Sequence, residues 1–88
     1  MSSAASDHQA TSIPAGLTDA QAFLRLGMMH STGASVPADM VSAHKWLNIA
    51  AMRGNAEAAR LRREVAGEMS EAEIAAAQRA ARDWITRH

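Results

Sequence analysis

Helix start and stop signals divide this 88-residue chain into short segments. Ser70 and Glu73 in "SEAE" have the spacing of a capping box, in which each side chain accepts the other residue's backbone amide. Gly33 and Gly54 stand where helices would end, because the left-handed residue after a last turn is usually glycine. Asn55 follows at once and can cap a new helix. The chain is therefore predicted to be all-α, with short connections and no strand.

The first helix is predicted to begin at Thr18, whose hydroxyl can accept the amide of Gln21 in "TDAQ". Residues 1–16 are small and polar, show no apolar period, and are predicted to form a disordered arm. A structured domain is expected over residues 17–88. Apolar residues then recur at three- and four-residue steps along one helix face: Ala22, Phe23, Leu26, Met29 and His30.

Three further helices follow from the same periodicity. Pro37 is expected in the first turn of the second helix, with Asp39 near its exposed amides. Arg53 and Gly54 should end that helix. The inner positions are Met40, Ala43, Leu47, Ala50, Ala51 and Gly54 beside Trp46 and Ile49, then Ala58, Leu61, Val65 and Met69, then Ile74, Ala77, Ala81, Trp84 and Ile85.

Composition limits the classes of function. No cysteine is present, which excludes disulfides and cysteine-bound metals. Nine basic residues balance nine acidic ones, so no dedicated nucleic-acid or anionic-membrane surface is expected. No apolar run approaches the roughly 20 residues that cross a bilayer, and the first residues lack a secretory signal. A cytoplasmic protein is expected.

Residues 22–61 also carry a spaced pattern of small and aromatic residues. Ala22 is followed by Leu26-Gly27, Met29-His30, Gly33, Val36, Asp39, Ala43, Trp46, Ala50-Ala51, Gly54, Ala58 and Leu61. This pattern resembles the Sel-one-like repeat, a relative of the tetratricopeptide repeat. Two departures from it are Ser35, where the family has a second glycine, and His30, where it has tyrosine.

The resemblance implies an α/α-hairpin repeat, a short solenoid of about four antiparallel helices. One full repeat would span residues 22–54, a partial repeat 55–69, and a C-terminal capping helix 70–87. In such a hairpin, small residues stand where two helices approach closely, and larger ones fill the space between them. The small ones here are Ala22, Gly27, Ala43, Ala50 and Ala51, and the larger ones Leu26, Trp46 and Leu47.

The residues with possible chemistry favour structural roles. His30, Asp39 and His44 match no metal-ligand spacing, and ordinary surface or half-buried histidines are predicted. Glutamates interleave with Arg60, Arg62 and Arg63, which favours a salt-paired helix over a phosphate-binding patch. Met29 and Met40 are expected in the core, and Met28 and Met52 are left open between core and a pliant binding surface. No nucleophile–base arrangement is present, so neither an enzyme nor a cofactor is expected.

The resemblance implies an adaptor that presents a helical groove to a peptide or another protein. The candidate partner-binding residues are Arg25, Met28, His30, His44, Lys45, Asn48 and Met52. A second hypothesis is a self-associating structural protein, such as a homodimer that covers Phe23, Met28 and Met52 on an exposed hairpin face. Nucleic-acid binding through the three arginines ranks below both.

Overall fold

The computed structural model describes residues 15–33 and 37–87, with side chains described from residue 19 onward. Within these ranges the chain forms helices and no strand, which confirms the all-α class. The helices are α1 (Ala15–Thr32), α2 (Met40–Met52), α3 (Ala56–Ala66) and α4 (Glu71–Arg87). None of these helices is long and apolar enough to cross a membrane. The predicted arm as far as Pro14 and the loop residues Ala34, Ser35 and Val36 lie outside the described ranges.

Helix α2 lies at the centre of the fold, because α1, α3 and α4 each pack against it. Its side chains at Ala43, Leu47, Ile49 and Ala50 are at most 1% exposed. Lys45 is the only residue of α2 that carries a full charge. A helix that is apolar around most of its circumference is stable only when it is enclosed, and this one is covered by three neighbours.

The predicted capping box at the start of α4 is confirmed. The Ser70 amide donates to Glu73 Oε1 at 2.8 Å, and the Glu73 amide donates to Ser70 Oγ at 3.1 Å. Asp39 caps α2 by accepting the Ser42 amide at 3.2 Å. These caps satisfy amides that the first turn of a helix leaves without partners.

The turn between α2 and α3 is a Schellman motif. Gly54 has a φ of 100°, its amide donates to Ala51 O, and the Asn55 amide donates to Ala50 O. The Asn55 side chain also caps α3, since its Oδ1 accepts the Ala58 amide at 2.8 Å. The predicted stop at Gly54 and the predicted cap at Asn55 are confirmed, and the Asn55 backbone amide also helps to close α2.

Two predicted helix starts are wrong. Helix α1 begins at Ala15, so Thr18 lies inside the helix and is not its N-cap. Alanine and leucine favour helix strongly, and the helix extends a turn beyond the sequence signal. Pro37 precedes α2 rather than lying in its first turn, because Asp39, at φ −154°, is the N-cap. Arg53 is correspondingly the C-cap residue of α2, one position beyond its last turn.

Contacts between α1 and α2 extend along most of both helices. Asp19 near the start of α1 pairs with Arg53 after the end of α2, at 3.0 Å. The His30 carbonyl, near the end of α1, accepts the amide of Asp39 just before α2, at 2.9 Å. Between these contacts, Gly27 lies directly against Leu47. The predicted close approach at Gly27 is confirmed.

An aromatic cluster joins α1, α2 and α4. Phe23 stacks on Trp46 with ring centroids 5.7 Å apart, and Trp84 meets both rings edge-on at 5.0 and 5.6 Å. Phe23 is only 9% exposed, so its predicted place on an uncovered face is wrong. Ala22, predicted at the helix contact, is exposed instead. Phe23 is buried because α4 packs on α2 beside α1 and covers the Phe23 ring.

Candidate interaction surface

The predicted partner-binding residues do not form one surface. Arg25 and Met28 lie together on α1, and His30 is half-buried near the end of that helix. Lys45 lies beside Trp84, with its Nζ 4.2 Å from the centroid of the Trp46 ring. Met52 is 64% exposed at the end of α2. Of the predicted set, Arg25 and Met28 line one depression among the described residues.

The prediction that His44 lies on a surface or is half-buried is wrong, because the residue is buried. It is 3% exposed, and its Nδ1 has no hydrogen-bond partner in the described part of the chain. Burial, followed by the positive charge of Arg62 on α3, lowers the pKa of His44. One turn further along α2, Asn48 Oδ1 accepts a hydrogen bond from Arg62 Nη1 at 2.7 Å. His44 and Asn48 therefore serve the packing of α3 on α2.

The hypothetical His30–Asp39–His44 trio has no metal-site geometry. Within the described residues, 15–33 and 37–87, no group of three His, Cys, Asp or Glu residues could hold a metal ion. Asp39 accepts hydrogen bonds from both the amide and the hydroxyl of Ser42. These bonds lower the pKa of Asp39 by stabilising its carboxylate. Asp39 is thus used as a helix cap.

The outward side of α1 carries a stripe of residues that no described helix covers. Met28 is its centre, at 44% exposure, and Leu24 lies one turn before it, half-buried. The stripe consists of Gln21, Leu24, Arg25, Met28, Met29 and Thr32. Helical positions three and four residues apart share a face, so these side chains are neighbours. Met29, predicted in the core, is half-buried and belongs to this stripe.

A groove of about 240 Å³ continues the stripe toward α3. Met40, Leu61 and Val65 supply its apolar lining, and Met40 also packs against the core as predicted. Met28 and Thr32 belong to both the stripe and the groove. We call the combined surface the α1–α3 face; its groove residues are Met28, Ser31, Thr32, Met40, Leu61, Glu64, Val65 and Glu68.

Charges on the α1–α3 face are unevenly paired. Arg60 bonds Glu64 at 2.8 Å and lies 3.4 Å from Glu57, as expected for a salt-paired helix. Arg25 and Glu68, by contrast, make no ion pair or hydrogen bond with any described side chain. The hydroxyls of Ser31 and Thr32 both donate to the carbonyl of Met28, at 3.0 and 2.9 Å. The face therefore combines an apolar centre with one cation and one carboxylate that pair with no described side chain.

Leu24 and Glu68 were not predicted from the sequence as residues of this face, whereas Leu61 packs against the core as predicted and also lines the groove. Leu24 and Met28 are spaced i, i+4, which marks a second apolar stripe beside the one that contacts α2. That spacing could have been found in the sequence. The groove could not, because it depends on how α3 packs beside α1.

Comparisons with models of protein families, with curated proteins and with solved structures find nothing that matches this chain.

Proposed function

We propose that this chain is a non-catalytic protein-interaction module that binds a peptide or protein partner on its α1–α3 face. The observation that carries the proposal is the exposed Met28, which belongs to both the stripe and the groove and is their shared apolar residue. Exposed, contiguous apolar surface with a polar rim is typical of interaction sites. Methionine suits such a site because its unbranched, polarizable side chain adapts to different partners.

The proposed architecture is an antiparallel α/α-hairpin unit of the Sel-one-like type, with α4 as a cap. Support comes from the Asp19–Arg53 and His30–Asp39 contacts at the two ends of α1 and α2. The close packing of Gly27 on Leu47 is the contact that such a hairpin requires. In repeat proteins of this kind, stacked hairpins create the extended surfaces used for binding.

A second candidate function is structural self-association, favoured by the same exposed Met28. Single hairpin repeats leave apolar faces uncovered, and neighbouring repeats or partner subunits cover them. Met52 is more exposed than Met28, but it lines none of the described depressions. We therefore propose the α1–α3 face, rather than Met52, as the surface of such self-association.

Peptide display against the purified chain tests the proposed function. Wild-type protein, Met28→Asp and Met52→Asp would each be panned with a random peptide library, and enriched peptides measured by fluorescence anisotropy. We expect peptides enriched on the wild type to bind Met28→Asp at least about tenfold more weakly, because a carboxylate would be desolvated at the centre of the site. Met52→Asp is the matched control and should bind them as the wild type does. Equal binding to all three proteins would contradict the proposal.

A further inference from the structure

Arg25 and Glu68, the charged residues of the α1–α3 face that pair with no described side chain, belong to the stripe and to the groove, which share Met28. Arg25 belongs to the stripe on α1, whereas Glu68 lies at the α3 side of the groove. Glu64, beside Glu68, already pairs with Arg60 at 2.8 Å. The face is therefore positive on one side of an exposed methionine and negative on the other.

We propose that the partner this face fits is a second copy of the same chain, related by a two-fold axis that passes close to Met28. Such an axis exchanges the two sides of the face, so Arg25 of each copy meets Glu68 of the other. A two-fold interface uses the same patch twice, and a patch must therefore complement itself. Met28 of the two copies pack together at the centre. The proposal rests on the proposed function and names the partner.

Two further observations favour this occupant. Nine basic and nine acidic residues give the chain no formal net charge, so two copies do not repel each other. The hydroxyls of Ser31 and Thr32 already donate to the Met28 carbonyl, so they lose no donor bond when the face is covered. The centre of the face can thus be desolvated without leaving these donors unsatisfied.

Sedimentation equilibrium of the intact chain, over a wide concentration range at low salt, tests the proposal by charge exchange. We expect reversible dimerisation of the wild type. Arg25→Glu and Glu68→Arg should each weaken dimerisation about tenfold, because each reverses one partner in two symmetry-related pairs. The variant that carries both substitutions should recover most of the wild-type affinity, since the pairs are then restored with exchanged signs.

Controls separate this proposal from the function on which it rests. Met28→Asp should abolish dimerisation and Met52→Asp should leave it unchanged, while circular dichroism checks that every variant folds. A wild-type monomer at all concentrations would overturn the second copy as the partner, and so would a dimer that is insensitive to Met28→Asp. A double variant that fails to regain affinity would also overturn the proposed pairing. None of these results would contradict a peptide-binding function that depends on Met28. Absence of such peptide binding would contradict the proposed function itself.

Discussion

Leu47 of α2 packs against the backbone of Gly27 in α1 so closely that residue 27 has no room for a side chain. A Cβ atom there would lie 2.6 Å from both Cγ and Cδ2 of Leu47, and 3.3 Å from the Ala43 carbonyl oxygen. Leu47 is 1% exposed and cannot move into solvent. The distance between the two helices is therefore set by the absence of a side chain at this position.

Gly27→Ala tests this contact. Alanine is favoured over glycine in a helix by about 1 kcal/mol, but overpacking a core costs about 1–3 kcal/mol. We expect the clash to dominate and the free energy of unfolding, measured in urea, to fall by about 1 kcal/mol. Gly67→Ala is the matched control, since Gly67 has a φ of −63°, is exposed, and would bring its Cβ against no side chain, the nearest atom being the Glu64 carbonyl oxygen at 3.3 Å. It should leave stability unchanged or raise it by about 0.5 kcal/mol. Equal effects at the two glycines would contradict the close approach.

Trp84→Ala tests whether α4 is held on α2 by the aromatic cluster. Removal of the indole breaks the edge-on contacts to Phe23 and Trp46 and leaves a cavity beside Phe23. Because Trp84 is half-buried, we expect a loss near 3 kcal/mol, at the lower end for deleting a large aromatic side chain. Thermal and urea unfolding by circular dichroism would measure it. Trp84→Phe retains a ring and should lose less than half as much, and an unchanged unfolding curve for Trp84→Ala would show that α4 is not anchored there.

Ser70→Ala tests the capping box of α4. The substitution removes the oxygen that accepts the Glu73 amide at 3.1 Å. We expect a loss of about 1 kcal/mol in the free energy of unfolding. Ser70→Thr retains the hydroxyl and should cost much less, so a similar loss in both variants would mean that the hydrogen bond is not the cause.

Acid should destabilise the fold through His44. Its pKa is lowered in the folded state from the ordinary value of 6.5, by burial first and by Arg62 second. The unfolded chain therefore binds a proton that the folded chain does not, so stability is fully present above pH 6.5 and falls as the pH drops below it. One such proton contributes at most about 1.4 kcal/mol per pH unit.

His44→Gln should flatten the dependence of the free energy of unfolding on pH in that range, as measured by urea unfolding at a series of pH values. The titration of Asp39 does not contribute to the pH dependence in that range. Its pKa is lowered from 3.8, so the stability it contributes is lost only in more acidic solution. The interpretation is wrong if His44→Gln shows the same pH dependence as the wild type.

Local signals in the sequence determined the helix ends that depend on near neighbours. The Ser70–Glu73 box and the Gly54–Asn55 turn each involve residues at most five positions apart, so their hydrogen bonds were predictable from spacing. The same spacing at Thr18 and Gln21 did not mark a helix start, because α1 begins at Ala15. The inner faces of α2 and α4 were likewise predictable, because helical periodicity places Ala43, Leu47 and Ala50 on one side. The close approach of two helices at Gly27 was also predicted, because glycine is small.

Only the tertiary structure decided which faces are covered. Phe23 is buried because Trp46 and Trp84, 23 and 61 positions further along the chain, close around it. His44 is buried on a side of α2 where Arg62 of α3 lies near enough for its charge to lower the pKa of His44. The α1–α3 face, and with it the separation of Arg25 from Glu68 across Met28, likewise depends on the placement of α3. Periodicity identifies the faces of a single helix, but which of them meet is decided by the packing of all the helices together.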